Sequence, residues 1–162
     1  MTTRNLSSLF APKAIALIGA SNQPGSVGAV VSRNLFAGGF DGPIMPVNPH
    51  EAEIQSVKCY RSVANLPAVP DLAIIATPPA AVASLITELG SRGCRSAVVI
   101  TAGFDRAAKA EMLAAAKPTI LRIMGPNCLG FLSPVRGINA SFAHLAPDAG
   151  DIAFVTQSGA IA

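Results

Sequence analysis

Three glycines and two serines fall within the eleven residues from Ile18 to Gly28, IGASNQPGSVG, directly after an apolar run and directly before an amphipathic stretch. A strand ending at Ile18, a glycine turn and a helix starting near Ser26 or Val27 aim unpaired backbone N–H groups and the positive end of a helix dipole at one point. That is chemistry for holding an anion, phosphate foremost. Gly19 and Gly25 supply backbone angles or close approach that bulkier residues do not. Gly28, on the first turn of the helix, lets it pack closely against the strand.

The glycine spacing separates the familiar phosphate sites. Neither G-x-G-x-x-G nor the Walker pattern G-x-x-x-x-G-K-[ST] is present: the glycine after Gly19 is Gly25, and Gly25-Ser26-Val27-Gly28 carries no lysine. A nucleoside triphosphatase is therefore poorly supported. An NAD site also wants an acid near the end of the second strand for the ribose hydroxyls. Here that strand ends in Val47-Asn48-Pro49-His50, and Glu51 comes one turn late. His50, a potential cation where an acid is expected, suits a ligand bearing an extra phosphate on or near its ribose. Coenzyme A and NADP both qualify, and a solvated loop histidine is the plain alternative.

Other chemistry has little support. No Ser/His/Asp, Cys/His or paired-carboxylate constellation stands out. Cys59, Cys94 and Cys128 have neither zinc spacing nor a CxxC motif, so they read as packed free thiols in a reducing compartment, and no metal site is expected. His144 follows Phe142-Ala143 in a turn-rich segment and reads as a surface or capping residue. Twelve Lys and Arg are scattered singly against nine acids, a net charge of +3 without a basic stripe, which argues against nucleic acid. A chain that is 51% apolar and 13% charged is not a disordered one. No run reaches the roughly 18 to 20 apolar residues of a membrane span. The opening MTTRNLSSLFAPK lacks a secretory-type segment, so a cytoplasmic protein is expected.

The elements that must position the phosphate turn alternate regularly. A strand over Ala14 to Ile18, a helix from about Val27 to Ala37 and a strand over Pro43 to Val47 form a βαβ unit. A short helix over Ser62 to Leu66 and a strand over Leu72 to Ala76 follow, and Pro78-Pro79 introduces a helix reaching Gly90 or Ser91. Then come a strand over Ala97 to Ile100, a helix over Arg106 to Ala116 stopped by Pro118, and a strand over Ile120 to Met124. Continuous apolar strands separated by helices predict an α/β fold, a Rossmann-type doubly wound parallel sheet with right-handed crossovers. Beyond Met124, β-like pieces at Gly130 to Leu132 and Gly137 to Ser141 predict a small irregular or hairpin excursion. A sixth strand, Ile152 to Val155, leads into Thr156-Gln157-Ser158-Gly159 and reads as the opening of another strand-turn-helix unit. The chain thus reads as the N-terminal portion of a longer protein, with one domain over residues 1–150 and the start of a second over 151–162. A final strand added to the sheet edge is the other reading.

Six segments in series, SLFAPKAIALIGASNQPGSVG, PVNPHEAEIQSVKCYRSVANLP, DLAIIATPP, AVVITAGF, MGPNCLGF and FVTQSGAIA, resemble the N-terminal portion of NDP-forming acyl-CoA synthetases. These are relatives of the succinyl-CoA synthetase α subunit, and the same module heads some protein acetyltransferases. The resemblance runs from Ser8 to Ala162. It implies a Rossmann-type CoA-binding domain followed by the start of a flavodoxin-like domain. It implies that Gly19, Ala20, Ser21, Gly25, Ser26 and Val27 cradle the diphosphate of coenzyme A or an acyl-CoA. The family's Asn-Pro-Lys at the end of the second strand lies towards the adenosine end, and His50 stands here in place of that lysine, a weaker cation at neutral pH. Thr77 and Pro78, with Thr101, Ala102 and Gly103, match loops lining the adenine and pantetheine path, and Asn127 with Cys128 sits near the emerging thiol. Gly103 would let the backbone approach a pantetheine amide, and Cys128 reads as a packed residue rather than a catalytic sulfur.

In that family acyl-CoA, phosphate and NDP interconvert through an acyl-phosphate and a phosphorylated histidine. Ser158 and Gly159 match the beginning of a phosphate-holding helix there, whereas the nucleophilic histidine lies further along and is not His144. The implied partners are the remaining ligase and ATP-grasp domains, and the implied role of this chain is to bind and orient the coenzyme without turnover. An NAD(P)-binding oxidoreductase domain and a stand-alone CoA-sensing module are the rival readings.

Overall fold

A computed structural model describes residues 3–151. In chain order the elements are α1 (Leu6–Phe10), β1 (Ile15–Ile18), α2 (Val27–Ala37), β2 (Ile44–Val47), β3 (Glu53–Ile54), β4 (Val57–Lys58), β5 (Leu72–Ile75), α3 (Pro79–Ser91), β6 (Ser96–Val99), α4 (Arg106–Ala116), β7 (Arg122–Met124), β8 (Gly130–Ser133) and β9 (Ile138–Ser141). Short 3-10 turns cover Val63–Asn65, Lys117–Thr119 and Pro134–Arg136.

Five strands form one parallel sheet in the order β2-β1-β5-β6-β7, with Ile15 level with Ile44 on one side and with Leu72 on the other. Every residue of β1, β5 and β6 is buried, as their unbroken apolar runs require when both faces are covered. Alternate residues feed two cores. Ala16 and Ile18 join Val82, Ile86 and Met112 under α3 and α4, whereas Ile15 and Leu17 join Val31 and Leu35 of α2.

The unequal strand order explains the β8–β9 hairpin. Right-handed crossovers leading from β2 to β5, β6 and β7 place their connections on one face, and the single crossover from β1 to β2 places α2 on the other. One helix does not cover that second face. Phe131, Ile138 and Ala140 of the hairpin and Leu9 of α1 complete its core, and Asn34 Nδ2 on α2 donates to the carbonyls of Ser141 (2.9 Å) and Ala143 (3.0 Å).

The fold agrees with the expected α/β sheet, including the bounds of α2 and α4, with local differences. The strand expected from Ile120 begins at Arg122, because Ile120 closes a 3-10 turn in the left-handed region (φ 56°). The β3–β4 hairpin was not foreseen: its turn places Gln55 and Ser56 at φ 52° and 62°, positions where glycine or asparagine is the usual signal. The expected strand Ile152 to Val155 and the residues Ser158 and Gly159 lie outside the described residues. No helix among those described is long and apolar enough to cross a membrane.

Candidate functional site

Strand order reverses about β1, whose two neighbours are reached in opposite directions along the sheet. At such a point the loops leaving adjacent carboxyl ends diverge and open a crevice. A cleft of about 480 Å³ lies there, lined by the ends of β1, β2 and β5, the Arg61–Val63 segment and one side of α3. Ile18, Val47, Val63 and Leu85 give it apolar walls. Among the residues singled out from sequence, Gly19, His50, Thr77 and Pro78 line this cleft.

The glycine turn after β1 is built from two differently constrained glycines. Gly19 has φ 88°, its N–H donates to the Val47 carbonyl at 3.0 Å, and a Cβ there would lie 2.7 Å from the Ala76 carbonyl oxygen. Its amide is therefore committed to the sheet. Gly25 has φ 78° with no atom within 4 Å of where a Cβ would be, so backbone angle alone selects it. Ser21 Oγ accepts from the Gln23 N–H at 2.9 Å. Ser26 caps α2, its Oγ accepting from the Ala29 N–H at 3.1 Å and donating to the Gln23 carbonyl at 2.8 Å. Among the described residues, the N–H groups of Val27 and Gly28 donate to nothing, the bare first-turn donors that an anion at a helix N-terminus uses.

Two asparagines fix this turn to the end of β2. Asn48 Nδ2 donates to the Ala20 carbonyl at 2.7 Å, while its Oδ1 accepts from the His50 N–H at 2.8 Å. Asn22 Nδ2 donates to Glu51 Oε2 at 3.0 Å and to the Glu53 carbonyl at 2.9 Å. Sequence reasoning passed over both. Asparagine after a strand signals a turn, but the carbonyl it will meet belongs to another loop.

The other expected residues lie further along the same carboxyl edge. Thr101 follows β6 and Asn127 follows β7, and neither lines the cleft, nor do Ala20, Ser21, Gly25, Ser26, Val27, Ala102 and Gly103. A line of hydrogen bonds nonetheless joins the loops: Thr101 Oγ1 donates to the Thr77 carbonyl at 2.7 Å, and the Asn127 N–H donates to the Thr101 carbonyl at 3.0 Å. Thr77 Oγ1 is buried without a hydrogen-bond partner. Ala102, Gly103 and Asn127 are exposed, with Gly103 at φ 84° and Asn127 at φ 58°.

Burial pushes Cys59 and Cys128 up from the ordinary thiol range and Cys94 up to about 11. Cys128 Sγ lies 3.4 Å from the Val99 carbonyl, in keeping with a packed role. Among the described residues no cluster of His, Cys, Asp and Glu is placed to hold a metal ion.

Comparison with known proteins bears on this arrangement. The CoA binding domain family matches residues 13–134. An ADP-forming acetate–CoA ligase of Methanocaldococcus jannaschii is 40% identical over 154 residues, 93% of this chain and 22% of that protein. The α subunit of the ADP-forming acetate–CoA ligase II of Pyrococcus furiosus is 40% identical over 160 residues, 94% of this chain and 34% of that subunit. Among solved structures, the dinucleotide-forming acetyl-coenzyme A synthetase 1 of Ca. Korarchaeum cryptofilum, in complex with phosphate and ADP, superimposes with a TM-score of 0.91 at 38% identity. That match covers 96% of this chain and 34% of the synthetase. The chain therefore spans between about a fifth and a third of the length of these three relatives.

Proposed function

The chain belongs to the CoA-binding domain family, and on that premise we propose that it holds coenzyme A or an acyl-CoA across the carboxyl ends of β1, β2 and β5, as the coenzyme-binding part of an NDP-forming acyl-CoA ligase. The observation that carries this reading is the cleft at the point of strand reversal, with two bare helix amides on the adjoining turn. The family favours coenzyme A over a nicotinamide dinucleotide, the other ligand class the turn admits.

The residues present suit the group. Val27 and Gly28 N–H donors at the α2 N-terminus take the diphosphate, with Gly19, Ala20, Ser21, Gly25 and Ser26 shaping the turn that carries them. The apolar walls of the cleft take the adenine. The buried Thr77 hydroxyl, without a protein partner, is a polar group that a ligand in the cleft would satisfy. His50 serves the ribose-phosphate end, and Pro78, Thr101, Ala102, Gly103 and Asn127 line the route of the pantetheine arm. Bound coenzyme A supplies a thiol that carries the acyl group as a thioester. The chain's own part is to hold and orient that arm.

The activity of the whole ligase rests on its relatives. Their names specify acetate in several cases, 4-hydroxybutyrate in one from Nitrosopumilus maritimus and a trans-feruloyl thioester in another, so the acid varies among relatives and we place its recognition outside this domain. By the family resemblance we assign residues 151–162 to the start of the next domain, with Ser158 and Gly159 belonging to its phosphate site. The remaining ligase and ATP-grasp parts are the partners. Calorimetry with coenzyme A, acetyl-CoA, NAD and NADP tests the reading. Coenzyme A or its thioester is expected to bind tightest, and NAD binding more tightly than coenzyme A would overturn it.

A further inference from the structure

The structure brings one further cation to the cleft. Arg61 follows the β3–β4 hairpin, more than ten residues after the end of β2, yet it lines the same cleft as His50. The backbone explains how. The Cys59 N–H donates to the Ala52 carbonyl, closing the hairpin. Tyr60 then lies alongside β2: its N–H donates to the Pro46 carbonyl, and its carbonyl accepts from the Asn48 N–H, both at 2.9 Å, in a parallel bridge to Val47. The next residue is thereby held beside the Asn48-Pro49-His50 turn.

The side chain, unlike its backbone, is uncommitted. Arg61 is exposed, and among the described residues its guanidinium makes no hydrogen bond or ion pair. Arg92, on the other side of the Val63–Asn65 turn, is a useful contrast. Its Nη1 and Nη2 donate to the carbonyls of Ala64 and Leu66 at 3.0 and 2.9 Å, so that arginine is spent on the fold. Glu88 on α3 is the one carboxylate among the residues lining the cleft, which leaves the β2 side, where Arg61 and His50 stand, as the side suited to an anion.

We propose that Arg61 reads the ribose 3′-phosphate of coenzyme A and so sets the domain's preference for the 3′-phosphorylated nucleotide. The inference rests on the coenzyme-binding reading and deepens it. A guanidinium is charged at every physiological pH and presents paired donors matched to phosphate oxygens, which an imidazole does not.

Titration of the full chain and of its Arg61→Ala and Arg61→Lys variants with coenzyme A and with dephospho-CoA tests the proposal. The unsubstituted protein is expected to prefer coenzyme A by about tenfold or more. Arg61→Ala is expected to lose most of that ratio with its dephospho-CoA affinity unchanged, and Arg61→Lys to retain part of it. A ratio that survives Arg61→Ala, or equal weakening of both ligands, overturns the assignment of Arg61. Should Arg61→Ala fail to fold, Arg61→Gln gives the same reading. Equal binding of the two ligands by the unsubstituted protein overturns the phosphate preference but leaves the coenzyme-binding reading standing, whereas binding of neither overturns that reading as well.

Discussion

Gly28 faces the Gly19 carbonyl so closely that a Cβ on Gly28 would overlap its oxygen. The helix whose first-turn amides are bare is thus seated directly on the turn that ends β1. Ser32 Oγ on the next turn donates to the Gly28 carbonyl at 2.7 Å, keeping this end of α2 regular.

The two turn glycines should respond differently to a methyl group. Gly28→Ala must push α2 off the Gly19 backbone and is expected to cost about 1–3 kcal/mol, a fall in Tm of several degrees for a domain of this size. Gly25→Ala meets no atom and pays only for its left-handed backbone, about 1 kcal/mol. Thermal melts of the two variants compare them directly. A Gly28→Ala variant that melts no lower than the unsubstituted protein would show that contact with Gly19 contributes nothing.

Thr77 offers a separation of binding from stability. Because its buried hydroxyl has no protein partner, Thr77→Val removes an unsatisfied group at nearly constant volume, and Tm is expected to hold or rise. Coenzyme A affinity is expected to fall roughly threefold to tenfold, the worth of one neutral hydrogen bond. Calorimetry beside a melt reads both, and an unchanged Kd in the variant would remove the hydroxyl from the site.

Alkaline pH should weaken the fold through Cys94. Its Sγ sits 3.4 Å from the Ser96 carbonyl, and burial pushes the thiol up to about 11. Folding therefore holds a proton that the unfolded chain releases near pH 8.5. The stability this contributes is complete below that value and is lost as pH rises through about 11, on the order of 3 kcal/mol. Denaturant titrations between about pH 8 and 11 on the protein and on Cys94→Ala are expected to converge as pH rises. Parallel curves would mean the buried thiol is not the group responsible.

Much of the framework was readable in the sequence. The helices Val27–Ala37 and Arg106–Ala116 fall where they were expected, because Ser26 and Asp105 each cap a first turn, accepting from the N–H three residues on. Boundaries drifted where local pattern was overruled, as at Ile120, an apolar residue that continues the run of β7 in sequence but turns away in space. The two-residue strands β3 and β4 are too short to show a period.

The candidate site divides the same way. Residue type and spacing determined the parallel sheet, the glycine turn after β1 and the edge of the sheet that carries the loops, since strand burial, glycine angles and helix dipoles are local matters. Only the tertiary structure decided that the Gly19 amide belongs to Val47 and that Asn48 holds the Ala20 carbonyl. It alone left Thr77 Oγ1 without a partner and set Arg61 beside His50. Each of these joins residues far apart along the chain, and which groups pair, and which are left over, is settled where the loops of different strands meet.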